Sequence, residues 1–364
     1  NYTIIGCVEG GIGGKMNAWA NTSMFNLVKC LELALNDGVC MLTGQQVGPH
    51  TGKIEDMHTL EDIIEAYYAQ VRFFVRHMTI CANAIDYAHQ NLLPLPFLSA
   101  LFDDCLNNGK DVTCGGAKYN FSGPQGVGVA DVADSLMALK RLVFDEKKYS
   151  LLEFKQAMRD NFEGHVCLYN DIQDVPKYGN DNDEVDAFAT MIGRQYCEEV
   201  ARYRNARGGK FHAGLYPVSA NVPMGMDVGA MPNGRKSRTP LADGVSPPAG
   251  ADLEGPTAVV KSVAKLDHIK ASNGTLLNMK FNPDILQTDE QIEKFMAVIR
   301  TYFELGGWHV QFNVVSAETL RAAQKSPQDY KDLLVRVAGY SAFFVDLDRS
   351  LQENIIARTE HKGF

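Results

Sequence analysis

The chain has 364 residues, with 35 Lys+Arg against 44 Asp+Glu for a formal net charge of −9, and 45% of its residues are hydrophobic. That composition excludes disorder and allows a large core, spread over two or so domains at about 150 residues each. The acidic balance, with Lys and Arg scattered, excludes an electrostatic nucleic-acid partner, and the apolar runs are too short for a membrane span, since Arg72, Arg76 and His77 break Tyr67–Ile80.

In chain order, a Gly-rich opening leads to a helix expected over Ser23–Asn36, where Phe25, Val28, Leu31 and Leu35 share a face and Gly38 follows as a stop. A long amphipathic helix is expected over Leu60–Gln90, ended by Pro94 and Pro96. Helices are also expected at Val132–Val143, Leu151–Asn161 and Val185–Tyr203, and an extended loop region over Gly208–Pro248, rich in Gly, Pro, Asn and Ser. Beyond a boundary near Pro248, Thr288 and Gln291 form a capping box for a helix over Glu290–Phe303. Trp308–Val315 and Leu333–Val337 read as strands and Leu351–Arg358 as a last helix. This mixture is α/β. The eight Cys show no CxxC and no paired metal spacing, which reads as reduced thiols of a cytoplasmic protein with no metal site. With no signal peptide and Asn1 rather than Met at the start, the chain is expected to be part of a longer polypeptide.

Several motifs fail on spacing. Gly10–Lys15 resembles a phosphate loop, but Glu9 occupies the first Gly position and Met16 follows the Lys. GxGxxG is absent there and at Gly126-Val127-Gly128. His50, His58, His77 and His89 form no HxxxH or HExxH pattern and read as surface or core histidines.

Gly6-Cys7-Val8-Glu9 is more informative. In an extended segment, Cys7 and Glu9 would face one cavity while Val8 packs behind. A carboxylate beside a thiol disfavours the thiolate, and no His adjoins it as a base. The pair suits chemistry in which Cys moves a hydrogen atom and Glu moves a proton. Taken alone, Cys7 also reads as a buried structural thiol. Near the other end, Arg336-Val337-Ala338-Gly339-Tyr340 places a glycine after a strand. It reads as a turn glycine with positive φ, or as a site where loss of an α-hydrogen leaves a radical stabilised by both flanking peptide groups.

Arg336–Tyr340 and the tail Ser350–Glu360 resemble the C-terminal signature of the glycyl radical enzymes, and Gly6–Glu9 resembles their thiyl-cysteine loop. Gly115–Phe121, Lys177–Asp181, Gly214–Ser219 and Leu241–Pro247 resemble further segments of that family, so the resemblance spans the chain in order. It implies the C-terminal half of a ten-stranded α/β barrel in which a Cys loop and a Gly loop meet. Residues 1–248 would carry the barrel part and 249–364 the glycine radical domain. It implies a stored radical at Gly339, a thiyl radical at Cys7 and a general base at Glu9. No cofactor would be bound. A separate activating enzyme with S-adenosylmethionine and an iron–sulfur cluster would install the radical, in an anaerobic cytoplasm. Further implied partners are a small-molecule substrate, the N-terminal half of the same protein and a second copy in a homodimer.

The branch follows from the cysteine loop. Val8 after Cys7 departs from pyruvate formate-lyase proper, which carries two adjacent Cys, and Cys-x-Glu resembles the eliminating enzymes and the arylacetate decarboxylases. Gly214–Ser219 and Leu241–Pro247 resemble the glycerol dehydratase branch. Elimination of water or another leaving group from a small diol-like or hydroxylated substrate is therefore expected. The alternatives are radical decarboxylation of an arylacetate, or a half chain inactive without its N-terminal half. Diol dehydratases carry Trp-His-Asp where this chain has Trp19-Ala20-Asn21. Choline lyases carry Thr and Tyr where Ala20 and Met24 stand, which disfavours choline. Asn21, Arg358 and Tyr216 are the candidate substrate-binding groups; Asn21 could instead cap a helix, and Arg358 could instead pair with an acid.

Overall fold

The computed structural model describes residues 2–364. Strands are few and short, and long helices pack around them in a mixed α/β arrangement. β1 (Tyr2–Ile5) and β2 (Glu9–Ile12) form an antiparallel hairpin. β3 (Trp19–Asn26) runs parallel to β4 (Ser122–Val127). β5 (Leu277–Phe281) lies between β6 (Val310–Val314) and β9 (Glu360–His361), parallel to both. β7 (Leu334–Arg336) and β8 (Ser341–Phe343) close a second antiparallel hairpin. Parallel bridges Gln125↔Gly214 and Leu215↔Thr275 join the pairs, so five segments run side by side in one direction: β3, β4, residues 211–215, β5 and β6.

The helix expected over Ser23–Asn36 is shorter, at Leu27–Ala34, because Trp19–Asn26 is a strand. Phe25 mimicked the helical period, but the segment gains its partner from residues a hundred positions away. Asn26 caps the helix, its side chain accepting from the Lys29 N–H. The long helix spans Leu60–Leu92, with a Thr59/Asp62 capping box. The three helices expected after it run Val129–Leu139, Leu151–Arg159 and Asp183–Val200, and Lys140–Asp145 continues the first as a π-helical turn. The Thr288/Gln291 capping box starts a helix over Asp289–Glu304, and the last helix is Arg349–Ala357.

All eleven residues of Val129–Leu139 are buried, including Asp131 and Asp134. Such a helix carries polar groups only where they are used. Asp131 accepts the Ala242 N–H at 2.6 Å and Asn233 Nδ2 at 3.2 Å, and Asp134 accepts the Tyr178 N–H at 2.8 Å. Arg235 donates to the carbonyls of Gly229 and Gly225 at 2.8 and 2.7 Å. The Gly- and Pro-rich stretch expected as a loop is thus largely buried: residues 211–215 pair in the sheet, and several later backbone groups are partnered by buried side chains. Among the described residues no helix is long and apolar enough to cross a membrane.

Candidate active site

Cys7 stands in the turn between β1 and β2. The expectation of an extended Cys-x-Glu segment is corrected here, because Gly6 takes a positive φ of 64° and turns the chain before Cys7. The Glu9 carboxylate folds back instead, and its Oε2 accepts the N–H groups of Cys7 at 2.6 Å and Val8 at 2.7 Å. A side chain at position 6 would meet that carboxylate, its Cβ lying 2.7 Å from Glu9 Oε1. Thiol and carboxylate therefore come together through the turn rather than through strand alternation.

Glu9 is buried at 4% exposure. Its Oε1 accepts the Tyr216 hydroxyl at 2.6 Å, and that hydroxyl in turn accepts Gln125 Nε2 at 2.8 Å. Burial and the neighbouring carboxylate push the Tyr216 hydroxyl well above its ordinary range, so it stays a donor. The structure thus places Tyr216 on Glu9, with no exposed surface of its own. Burial first, and Glu9 second, push the Cys7 thiol up to about 11, while Arg336 works in the other direction. At neutral pH the sulfur is a thiol, ready to give up a hydrogen atom rather than to attack as an anion.

Gly339 sits at the tip of the β7–β8 hairpin with φ 81°. The tip faces Cys7 so closely that a Cβ there would lie 2.5 Å from Cys7 Sγ and 2.6 Å from its Cα. Only glycine fits, for reasons of both space and backbone conformation. Val8, Tyr216, Leu276 and Ala338 form a small apolar cluster that joins the two tips, and Trp308 Nε1 donates to the Val8 carbonyl at 3.2 Å.

Polar side chains from β5 and β6 hold the glycine hairpin. Gln311 Oε1 accepts the Gly339 N–H at 2.9 Å, and Asn313 exchanges two 2.8 Å bonds with the backbone of Arg336. The Val337 carbonyl accepts Asn278 Nδ2 at 3.2 Å and Arg358 Nη2 at 2.8 Å. Arg358 also donates to the Arg336 carbonyl at 3.1 Å and pairs with Asp243 at 2.6 Å. Burial raises the Asp243 carboxyl; Arg358 and Asn278 oppose that rise. Of the two readings of Arg358, the acid partner is the one present. Asn21 is exposed on β3, and the helix that follows is capped by Asn26 instead.

Gln125, Asp243, Asn278, Gln311 and Asn313 did not emerge from sequence reasoning. One signal was available: in Val310–Val314 the polar residues 311 and 313 are the buried ones, an inverted alternation that marks a strand facing polar partners. A cavity of about 620 Å³ is bordered by Asp243, Asn278 and Arg358 but by none of Cys7, Glu9 and Gly339. It lies behind the supports of the glycine hairpin and is not where the two tips meet.

Residues 1–225 match the pyruvate formate lyase-like family model, and residues 241–345 the glycine radical model. The (2S)-3-sulfopropanediol dehydratase of Klebsiella oxytoca is 42% identical, over 99% of this chain and 44% of its own length. The trans-4-hydroxy-L-proline dehydratase of Clostridioides difficile is 42% identical, over 98% of this chain and 45% of its own. The glycerol-bound B12-independent glycerol dehydratase from Clostridium butyricum superposes at TM-score 0.97 with 50% identity, over 99% of this chain and 46% of that one. The chain therefore spans less than half the length of these relatives. It belongs to the glycyl radical enzyme family, in the dehydratase branch.

Proposed function

We propose that this chain carries the radical machinery of a glycyl radical lyase acting on a small hydroxylated substrate. The carrying observation is the apposition of Gly339 and the Cys7 thiol, with the Glu9 carboxylate anchored on the same turn. A radical stored at Gly339 takes the hydrogen atom of the Cys7 thiol, leaving sulfur as the radical. Cys7 then takes a hydrogen atom from the hydroxyl-bearing carbon of the substrate, while Glu9 accepts the proton of that hydroxyl. The group on the adjacent carbon leaves with its electron pair, as water once protonated. Return of the hydrogen atom from Cys7 completes a redox-neutral elimination to a carbonyl product. The sulfopropanediol, hydroxyproline and glycerol named for the relatives are all small hydroxylated molecules, which supports this substrate class.

Within this reading Asn21 contacts substrate, Tyr216 orients Glu9, and Arg358 steadies the glycine hairpin. The five parallel segments fit half of a ten-stranded barrel. We take 1–248 as its barrel part and 249–364 as the glycine radical domain, with the other half of the polypeptide completing the pocket. A separate activating enzyme using S-adenosylmethionine and an iron–sulfur cluster installs the radical, and the working protein is a cytoplasmic homodimer in an anaerobic cell.

Anaerobic electron paramagnetic resonance after activation tests the reading. A doublet that collapses when glycine carries deuterium at Cα is expected. The Cys7→Ser protein should keep that doublet while losing turnover of a glycerol, propanediol and sulfopropanediol panel by at least about a thousandfold. Substantial turnover in Cys7→Ser would sink the mechanism.

A further inference from the structure

We propose that Gln311 is the positioning residue that sets the peptide plane of Gly339 against the Cys7 thiol; this rests on the radical reading above. Gln311 is 5% exposed and opposite Asn278 in the β5–β6 register. Every group of its carboxamide is engaged. Oε1 accepts the Gly339 N–H at 2.9 Å and Arg336 Nη2 at 3.1 Å. Nε2 donates to the Val337 carbonyl at 3.3 Å and to Asn278 Oδ1. A flipped amide would set N–H against N–H at Gly339 and oxygen against oxygen at Val337, so this orientation is fixed.

The consequence is chemical. A glycine Cα radical is delocalised only while its two flanking peptide groups lie in one plane through a flattened Cα, and the amide nitrogen is the donating end. An acceptor on the Gly339 N–H holds that plane and strengthens the donation. Arg336, bonded to the same Oε1, keeps the acceptor from rotating away. Because Cys7 packs directly on Gly339, a tilt of this peptide changes the path of the hydrogen atom between Cα and Sγ. Hydrogen transfer is steep in distance, and misplacement by about 1 Å costs on the order of a hundredfold.

The test uses the natural polypeptide that contains this chain, activated anaerobically, with spins per chain and turnover per spin measured separately. Gln311→Leu removes acceptor and donor; Gln311→Glu keeps the acceptor and, protonated as burial against the Val337 carbonyl favours, replaces the Nε2 donor with its O–H. In Gln311→Leu the coupling of the exchangeable Gly339 amide proton should change on comparing H₂O and D₂O, and turnover per spin should fall at least about tenfold. Gln311→Glu should keep the unsubstituted line shape and lose no more than about threefold per spin. If Gln311→Leu does not fold, Gln311→Glu decides alone: a line shape altered from the unsubstituted protein overturns the proposal. An unchanged line shape and turnover per spin in Gln311→Leu overturns it equally. Absence of any doublet in the unsubstituted protein would instead overturn the radical reading itself, and the positioning role with it.

Discussion

At Cys7 the surroundings favour the neutral thiol, and the pH dependence of its chemistry follows. The thiol is pushed up to about 11, above the usual thiol value, so it stays protonated through pH 7 to 9 and ionises only beyond that range. Alkylation by iodoacetamide requires the thiolate. The exposed Cys81, Cys114 and Cys167 should therefore react at pH 8, with Cys7 slower by at least about tenfold, and Cys7 should catch up only as pH approaches 11. Peptide mass spectrometry against pH checks this; labelling of Cys7 as fast as Cys114 at pH 8 would contradict the environment described. Cys7, Glu9 and Gly339 were legible from residue types and the resemblance they carry. Gln125 and Gln311 were not, because a glutamine in a sequence gives no sign of being buried against a backbone amide or another side chain.

The glycine hairpin depends on elements that are themselves short. β7 and β8 are three residues each, too little to fix a loop by pairing alone. Two outside supports do the rest: the parallel β5–β6 pair with its inward amides, and the end of helix Arg349–Ala357 with Arg358. Lys280 on β5 donates to the Ile356 carbonyl at 2.7 Å in the last turn of that helix, where the free carbonyls and the dipole favour a cation. β5 therefore grips both the helix end and, through Asn278, the glycine hairpin. Arg358→Ala should cost about 3 to 5 kcal/mol at pH 8, because it leaves the buried Asp243 carboxylate without its cation and takes one donor from each of the Arg336 and Val337 carbonyls. Without its partner, Asp243 has a folded-state pKa raised further above the unfolded one. The variant is thus penalised less below the unfolded pKa and increasingly as pH rises, so its deficit in chemical denaturation should shrink from pH 8 to pH 5. A deficit independent of pH would show that the ion pair is not what was lost. Helices with capping boxes, such as those opening at Thr59 and Thr288, could be read from local chemistry. β4 and β5 could not: Ser122–Val127 and Leu277–Phe281 are buried throughout, show no alternation, and find partners far along the chain.

At the scale of the whole molecule, the apolar surface is unevenly distributed. Ile80, Tyr87 and Leu92 on the second half of the long helix join Phe97, Leu101 and Leu106 in one exposed stretch of chain, with Leu92 80% and Phe97 81% exposed. Covering one such side chain is worth about 1.5 to 3 kcal/mol, and a run of six is more than a soluble surface normally leaves open. The chain spans 44 to 46% of its relatives' length, and on the function proposed above the other half of the polypeptide would cover this stretch. Produced alone, the 364-residue chain should therefore enhance the fluorescence of a hydrophobic dye and self-associate with concentration in sedimentation. Phe97→Ser with Leu106→Ser should at least halve the dye signal while leaving the melting temperature within about 3 °C, since neither side chain is in the core. A polypeptide supplying the N-terminal half of a relative should suppress the dye signal of the unsubstituted chain and be bound about tenfold less tightly by the double variant. If the variant binds it equally well, the apolar stretch is not the docking face.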